Sequence, residues 1–158
     1  MPVKNYIAGK IVFSLFAACL CALGQTKPNL NGVWKMDPAR SDFPSGPVSE
    51  SRLDRITVDG VNLKDTISQK IRHRDESTYD MVYTIDGKEC TNHVNGNLVK
   101  STAHWDGAEL VIDSQVFALR RAMIEDHWSL SADGKTITLR RHMTGAVTAD
   151  QTVIFDKQ

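Results

Sequence analysis

The sequence predicts an all-β protein, a single up-and-down antiparallel β-barrel of about ten strands. Three observations carry that expectation. Turn pairs recur at Asp59-Gly60, Asp86-Gly87, Asn95-Gly96, Asp106-Gly107, Asp133-Gly134 and Thr144-Gly145, and Asp-Gly and Asn-Gly suit the positive φ of tight hairpins. The segments between them are rich in Thr, Val, Ile and Tyr and alternate apolar with polar, the period of a half-buried strand. After Ser49 no long connection interrupts them. Sequential hairpins favour a barrel, which removes exposed sheet edges, over a Greek-key sandwich, which needs long crossovers.

The chain starts with a different pattern. Lys4 and Lys10 precede an uncharged apolar run from Ile11 to Leu23, which ends at Ala22-Leu23-Gly24. A positive region, an apolar stretch and small residues at the cut define a secretory signal peptide, here residues 1–24. The run falls short of the ~20 apolar residues that span a bilayer, so no membrane span is expected after processing. Phe16-Ala17-Ala18-Cys19 offers a second reading, a lipoprotein box acylated at Cys19. Residues 25–158 then form the domain, secreted or periplasmic and long enough for a core of its own.

Charge and cysteine content narrow the function classes. The whole chain holds 19 Lys and Arg against 19 Asp and Glu, and loss of Lys4 and Lys10 leaves acids in excess by two. That balance gives no electrostatic footprint for nucleic acid. Cys19 and Cys21 leave with the signal, so Cys90 alone remains and no internal disulfide can form.

Element by element, Asn29-Leu30-Asn31 leads into a first strand at Gly32-Val33-Trp34-Lys35. Asp37–Ser49 contains Pro38, Pro44, Gly46 and Pro47 and reads as a surface loop. In residues 61–73, Leu63, Ile67 and Ile71 recur every four residues. That spacing fits a helix stripe or one face of a strand that also carries Asp65 and Gln69; the flanking turn and strand signals favour the strand. Tyr79 to Ile85 and Thr136 to Arg140 alternate cleanly. Further turns are expected at Arg74-Asp75-Glu76 and Arg120-Arg121. One spacing separates both Gly60 from Gly87 and Gly107 from Gly134. A regular meander reusing one turn accounts for this; a duplicated four-strand unit is the rival.

The apolar faces of these strands give a candidate lumen: Tyr79, Met81, Tyr83, Ile137, Leu139, Arg141, Val153 and Phe155. Arg141 is the informative member, because a charge on an apolar face must be paired, stacked or anchoring an anionic ligand group. Only one of Arg140 and Arg141 can face inward.

Gly32-Val33-Trp34 resembles the G-x-W signature on the first strand of lipocalins. That resemblance implies that Gly32 and Trp34 close one barrel end, with Arg140 or Arg141 covering the indole by a cation–π contact. The second lipocalin signature, a Thr-Asp-Tyr turn, is missing. A closer likeness covers nearly the whole mature chain. Asn29 to Phe43, with G-x-W-K and then Arg40-Ser41-Asp42-Phe43, together with the ending Val153-Ile154-Phe155-Asp156-Lys157-Gln158, resembles a group of small exported bacterial proteins. Those are regarded as lipocalin-like and have no assigned activity. The hairpin rhythm is also similar to that of intracellular fatty-acid-binding proteins, which are ten-stranded barrels. These likenesses inform fold more than function.

Catalytic and metal signatures are sparse. His73, His93, His104, His127 and His142 lack ligand spacing, and no His-Glu-x-x-His, Cys-x-x-Cys, G-x-S-x-G or phosphate-binding loop occurs. Glu125 and His127 share a strand face, but Ala122, Ile124, Trp128 and Leu130 mark the other face as the buried one. No metal, cofactor or catalytic residue is therefore assigned. The leading expectation is an exported barrel that binds a small apolar or amphipathic molecule. A solid-cored interaction module of the cell envelope is the alternative, and a hydrolase or isomerase in the barrel mouth is the third.

Overall fold

A computed structural model describes residues 27–158; the expected signal peptide and Cys19 lie outside the described residues. Ten strands follow in chain order: β1 Gly32–Met36, β2 Ser49–Asp59, β3 Asn62–Ile71, β4 Ser77–Thr84, β5 Cys90–Val94, β6 Asn97–Asp106, β7 Glu109–Phe117, β8 Ala122–Leu130, β9 Thr136–Gly145 and β10 Ala149–Lys157. No helix among the described residues is long and apolar enough to cross a membrane.

All ten strands join one antiparallel sheet in the order β4-β3-β2-β1-β10-β9-β8-β7-β6-β5. The order departs from simple pairing of chain neighbours at two places. First, β1 pairs with β10, Trp34 opposite Lys157 and Met36 opposite Phe155, while its other edge pairs with β2. Second, β4 and β5 are the two ends of the sheet, and they meet across a seam. There the Asn92 side chain stands in for a ladder rung. Its Oδ1 accepts the Val82 N–H at 2.8 Å, and its Nδ2 donates to the Val82 carbonyl at 2.9 Å. The sheet is thus a nearly closed, up-and-down barrel, as the turn rhythm predicts.

Residues 61–73 adopt the strand alternative. Leu63, Asp65, Ile67 and Gln69 are all buried, and the intervening Lys64 pairs outside with Asp80 at 2.9 Å. A four-residue repeat is twice the strand period, so the same residues satisfy both templates until a partner strand is present. The β5–β6 hairpin has positive φ at both Asn95 and Gly96, as a two-residue primed turn requires.

The loop between β1 and β2 continues the line of β1 along β10. Asp42 and Thr152 exchange backbone hydrogen bonds at 2.7 and 3.0 Å, and Asp37 N–H donates to the Ile154 carbonyl at 2.8 Å. Buried Gln151 then donates to the carbonyls of Ser45 and Pro47, both at 2.9 Å. These bonds fold the proline-rich segment over the β9–β10 side of one barrel end.

The opposite end is plugged. Trp34 is fully buried, and its indole N–H donates to the Leu30 carbonyl at 2.8 Å. Leu30, Ile56, Leu63, Leu110, Ile112 and Phe155 pack in the same core cluster. The cation over the Trp34 ring is Lys157, with Nζ 5.1 Å from the centroid. Arg140, expected there, instead points outward and donates to Glu109 at 2.7 Å. The register explains the difference: Lys157 lies directly opposite Trp34, whereas β9 is one strand further away. Gly32 has φ +146°, and an added Cβ would stand 2.9 Å from Lys157 Cε. Glycine therefore leaves the path that the lysine takes to the ring.

Replacing Asn92 with Ala should cost roughly 2 kcal/mol, because it orphans both polar groups of Val82. Denaturant unfolding measures the loss. Hydrogen exchange at the Val82 amide should accelerate more than exchange within the β6–β7 ladder.

Candidate functional site

Strand alternation sends every second side chain inward, and several of those are charged or polar. On β2 the inward set is Arg52, Asp54, Ile56 and Val58; on β3 it includes Asp65, Ile67 and Gln69; on β8 and β9 it includes Asp126, Trp128 and Arg141. Of these, Arg52, Asp65, Ile67, Gln69, Asp126, Trp128 and Arg141 line a cavity of about 250 Å³ above the apolar plug. The cavity reaches the surface beside the β3–β4 and β5–β6 turns, where Arg74, Asn95 and Asn97 line it.

Both interior arginines are already engaged. Arg52 Nε and Nη2 donate to Asp54 Oδ1 and Oδ2 at 2.8 and 2.7 Å, within one strand. Its guanidinium also stands 5.3 Å from the Phe155 ring centroid and 5.9 Å from that of Trp128. Arg141 Nε and Nη2 donate to Asp126 Oδ1 and Oδ2, each at 2.7 Å, across the β8–β9 ladder. Such two-point pairs have the strongest geometry available to an ion pair. Each guanidinium is disfavoured by burial, but its aspartate outweighs that and holds it charged.

Asp65 is different. Arg52 Nη2 approaches its Oδ2 only to 3.9 Å, and its Oδ1 has no hydrogen-bond partner among the described residues. Burial, and then the nearby Asp54 carboxylate, push its carboxyl well above the ordinary range. Burial likewise raises Tyr79 and Tyr83, so both phenols are neutral hydrogen-bonding groups. Tyr79 accepts from Gln69 Nε2 at 2.7 Å.

The expected lumen residues divide. Tyr79, Met81, Tyr83 and Arg141 line the cavity. Ile137, Leu139, Val153 and Phe155 face inward as well, but they are packed in the core beneath it. Arg141 is the inward member of the adjacent pair, and its partner is Asp126. Missing from the sequence reading are Arg52, Asp54 and Asp126 as interior residues. Their signal was present in the period-2 faces Arg52-Asp54-Ile56-Val58 and Ile124-Asp126-Trp128; a search for apolar residues alone passes over it.

The Glu125–His127 pair lies on the outer wall. His127 Nε2 is 2.7 Å from Glu125 Oε1, and Nδ1 is 3.3 Å from Glu109 Oε2. The Glu125 contact, more than that to Glu109, raises the imidazole above its ordinary value. Among the described residues no group of three or more His, Cys, Asp or Glu converges to hold a metal.

Comparison with known proteins bears on the architecture. No protein-family model matches the chain, and no curated protein does. Solved structures do. A secretory abundant heat soluble (SAHS) protein of Ramazzottius varieornatus superimposes with TM-score 0.60 at 13% identity, covering 85% of this chain and 99% of that one. A mutant of the fluorescent protein UnaG gives 0.54 at 12% identity, covering 82% and 96%. Echinococcus granulosus fatty-acid-binding protein 1 gives 0.51 at 11% identity, covering 81% and 96%. The fold is that of the lipocalin-like, fatty-acid-binding-protein type of barrel. Identity this low speaks to fold alone, so the chemistry of the site rests on the residues above.

Two stability effects should separate the interior charges. Arg52→Met leaves Asp54 buried without its cation and should cost about 3–5 kcal/mol. Asp65, with its raised folded value, binds a proton in the folded chain that the unfolded chain has lost above its own ordinary value. Stability should therefore fall as pH rises from about 4 toward neutrality. Asp65→Asn should flatten that slope and should be neutral or stabilising at pH 7, as chemical unfolding across pH will read.

Proposed function

We propose that the protein is an exported small-molecule-binding barrel whose ligand is a small apolar or amphipathic compound. The observation that carries this reading is the cavity of about 250 Å³ enclosed by the strands and open beside the β3–β4 and β5–β6 turns. It sets Ile67, Met81, Val99 and Val116 beside charged and polar groups that include Arg52, Asp65, Gln69, Asp126 and Arg141, an amphipathic lining with polar groups to orient a ligand. A solid-cored interaction module has no need of such a space. The barrel-mouth enzyme is disfavoured because Glu125 and His127, its acid–base pair, lie on the outside. Among structures of this fold, the Echinococcus protein is by name a fatty-acid-binding protein. Export is supported by the three-part pattern of residues 1–24.

Purified protein should bind an apolar fluorescent probe, and native mass spectrometry of freshly isolated material should reveal a bound small molecule. Val116→Trp, which fills the cavity, should weaken probe binding at least about tenfold while the far-ultraviolet dichroism is retained. Absence of probe binding in the parent protein would remove the reading. Intact-mass measurement of the exported protein should give a chain beginning at Gln25; acylation at Cys19 would replace this with the lipoprotein alternative, and retention of Met1 would contradict processing.

A further inference from the structure

Beneath the cavity floor lie two buried polar atoms without hydrogen-bond partners among the described residues, Asp65 Oδ1 and Trp128 Nε1. Asp65 is 2% exposed and Trp128 5%. Both residues line the cavity and also the narrow space of about 10 Å³ immediately below it. Asp65 shares its proton with Asp54, which leaves Oδ1 to accept, and the indole N–H can only donate. Leaving either group unpaired in the interior is costly, so the pair marks the place where a ligand group belongs.

We infer that the inner end of the cavity receives a neutral group that both donates and accepts, a hydroxyl or primary carboxamide, on an otherwise apolar ligand, and that it discriminates against a carboxylate. This rests on the ligand-binding reading above and specifies its substrate class. A hydroxyl can donate to Asp65 Oδ1 while accepting from the Trp128 N–H. A carboxylate has no proton for Asp65 and would lie near Asp54 and Asp126 as well. Both buried cations are already charge-compensated, since Arg52 and Arg141 each give two of their five donors to an aspartate. An ammonium can donate to Asp65 but offers nothing to the indole N–H. Burial and Asp54 raise Asp65, which also favours a neutral partner. At the ~30 Å³ that a water molecule occupies in the liquid, the cavity has room for roughly eight heavy atoms.

A matched series tests the inference: 1-heptanol, heptanamide, heptanoate, heptylamine and 1-chloroheptane, each displacing the apolar probe from the purified protein. The alcohol and the amide should bind at least about tenfold tighter than the carboxylate and the chloride. Trp128→Phe keeps the ring against Phe155 but deletes the donor, and should bring the alcohol to within a few-fold of the chloride without weakening the chloride itself. Asp65→Asn retains an acceptor and should preserve the alcohol's advantage. Equal binding across the series, tightest binding by heptanoate or heptylamine, or an alcohol preference unchanged in Trp128→Phe overturns the inference and leaves the ligand-binding reading standing. Failure of the parent protein to bind the probe or any member of the series removes both.

Discussion

The barrel depends on β1. This five-residue strand is the one whose ladders join the sheet half β2–β4 to the half β5–β10 among the described residues. Opposite it in the circle, β4 and β5 meet through side chains, chiefly Asn92, with no ladder. If β1 were lost, a nearly closed cylinder would become two curved sheets with exposed edges. Trp34 fixes β1 in place through its buried ring, its bond to Leu30 and the Lys157 cation above it. The loop that follows adds the Asp42–Thr152 exchange, so β10 is covered along more of its length than five residues of β1 can reach.

That closure creates the conditions for the interior charges. With one end plugged by apolar residues, Arg52, Asp54, Asp65, Asp126 and Arg141 sit where water is scarce and ion pairs must be well formed. The two bidentate pairs meet that demand. They also take up space and hydrogen-bonding capacity that a purely apolar lumen would leave to the ligand. Asp65 is the residue the pairing leaves over: three aspartates face two arginines. The remaining carboxyl is the one that burial and Asp54 push toward its neutral form.

Much of the architecture was legible in the sequence because its signals are local. An Asn-Gly turn needs only its own backbone angles, and alternation along Tyr79, Met81 and Tyr83 needs only the pleat. The ambiguous segment at 61–73 shows the boundary of that reasoning, since a four-residue repeat serves a helix or a strand until β2 and β4 are alongside. Ile137, Leu139, Val153 and Phe155 all face inward and pack in the core. Whether an inward residue meets the plug or the cavity depends on its height in the barrel, which alternation does not encode.

The sequence by itself determined the strands, the turns and the inward parity of each side chain, because these follow from backbone sterics and a two-residue period. Tertiary structure decided which residues face one another across the ladders and the lumen. It placed Lys157, not Arg140, over Trp34, because register sets the partner of β1. It joined Arg141 to Asp126 and Arg52 to Asp54, and it left Asp65 Oδ1 and Trp128 Nε1 without hydrogen-bond partners among the described residues. Those pairings are contacts between segments far apart in the chain or between residues whose common face exists only in the sheet. No local pattern carries the pairings that cross from one strand to another.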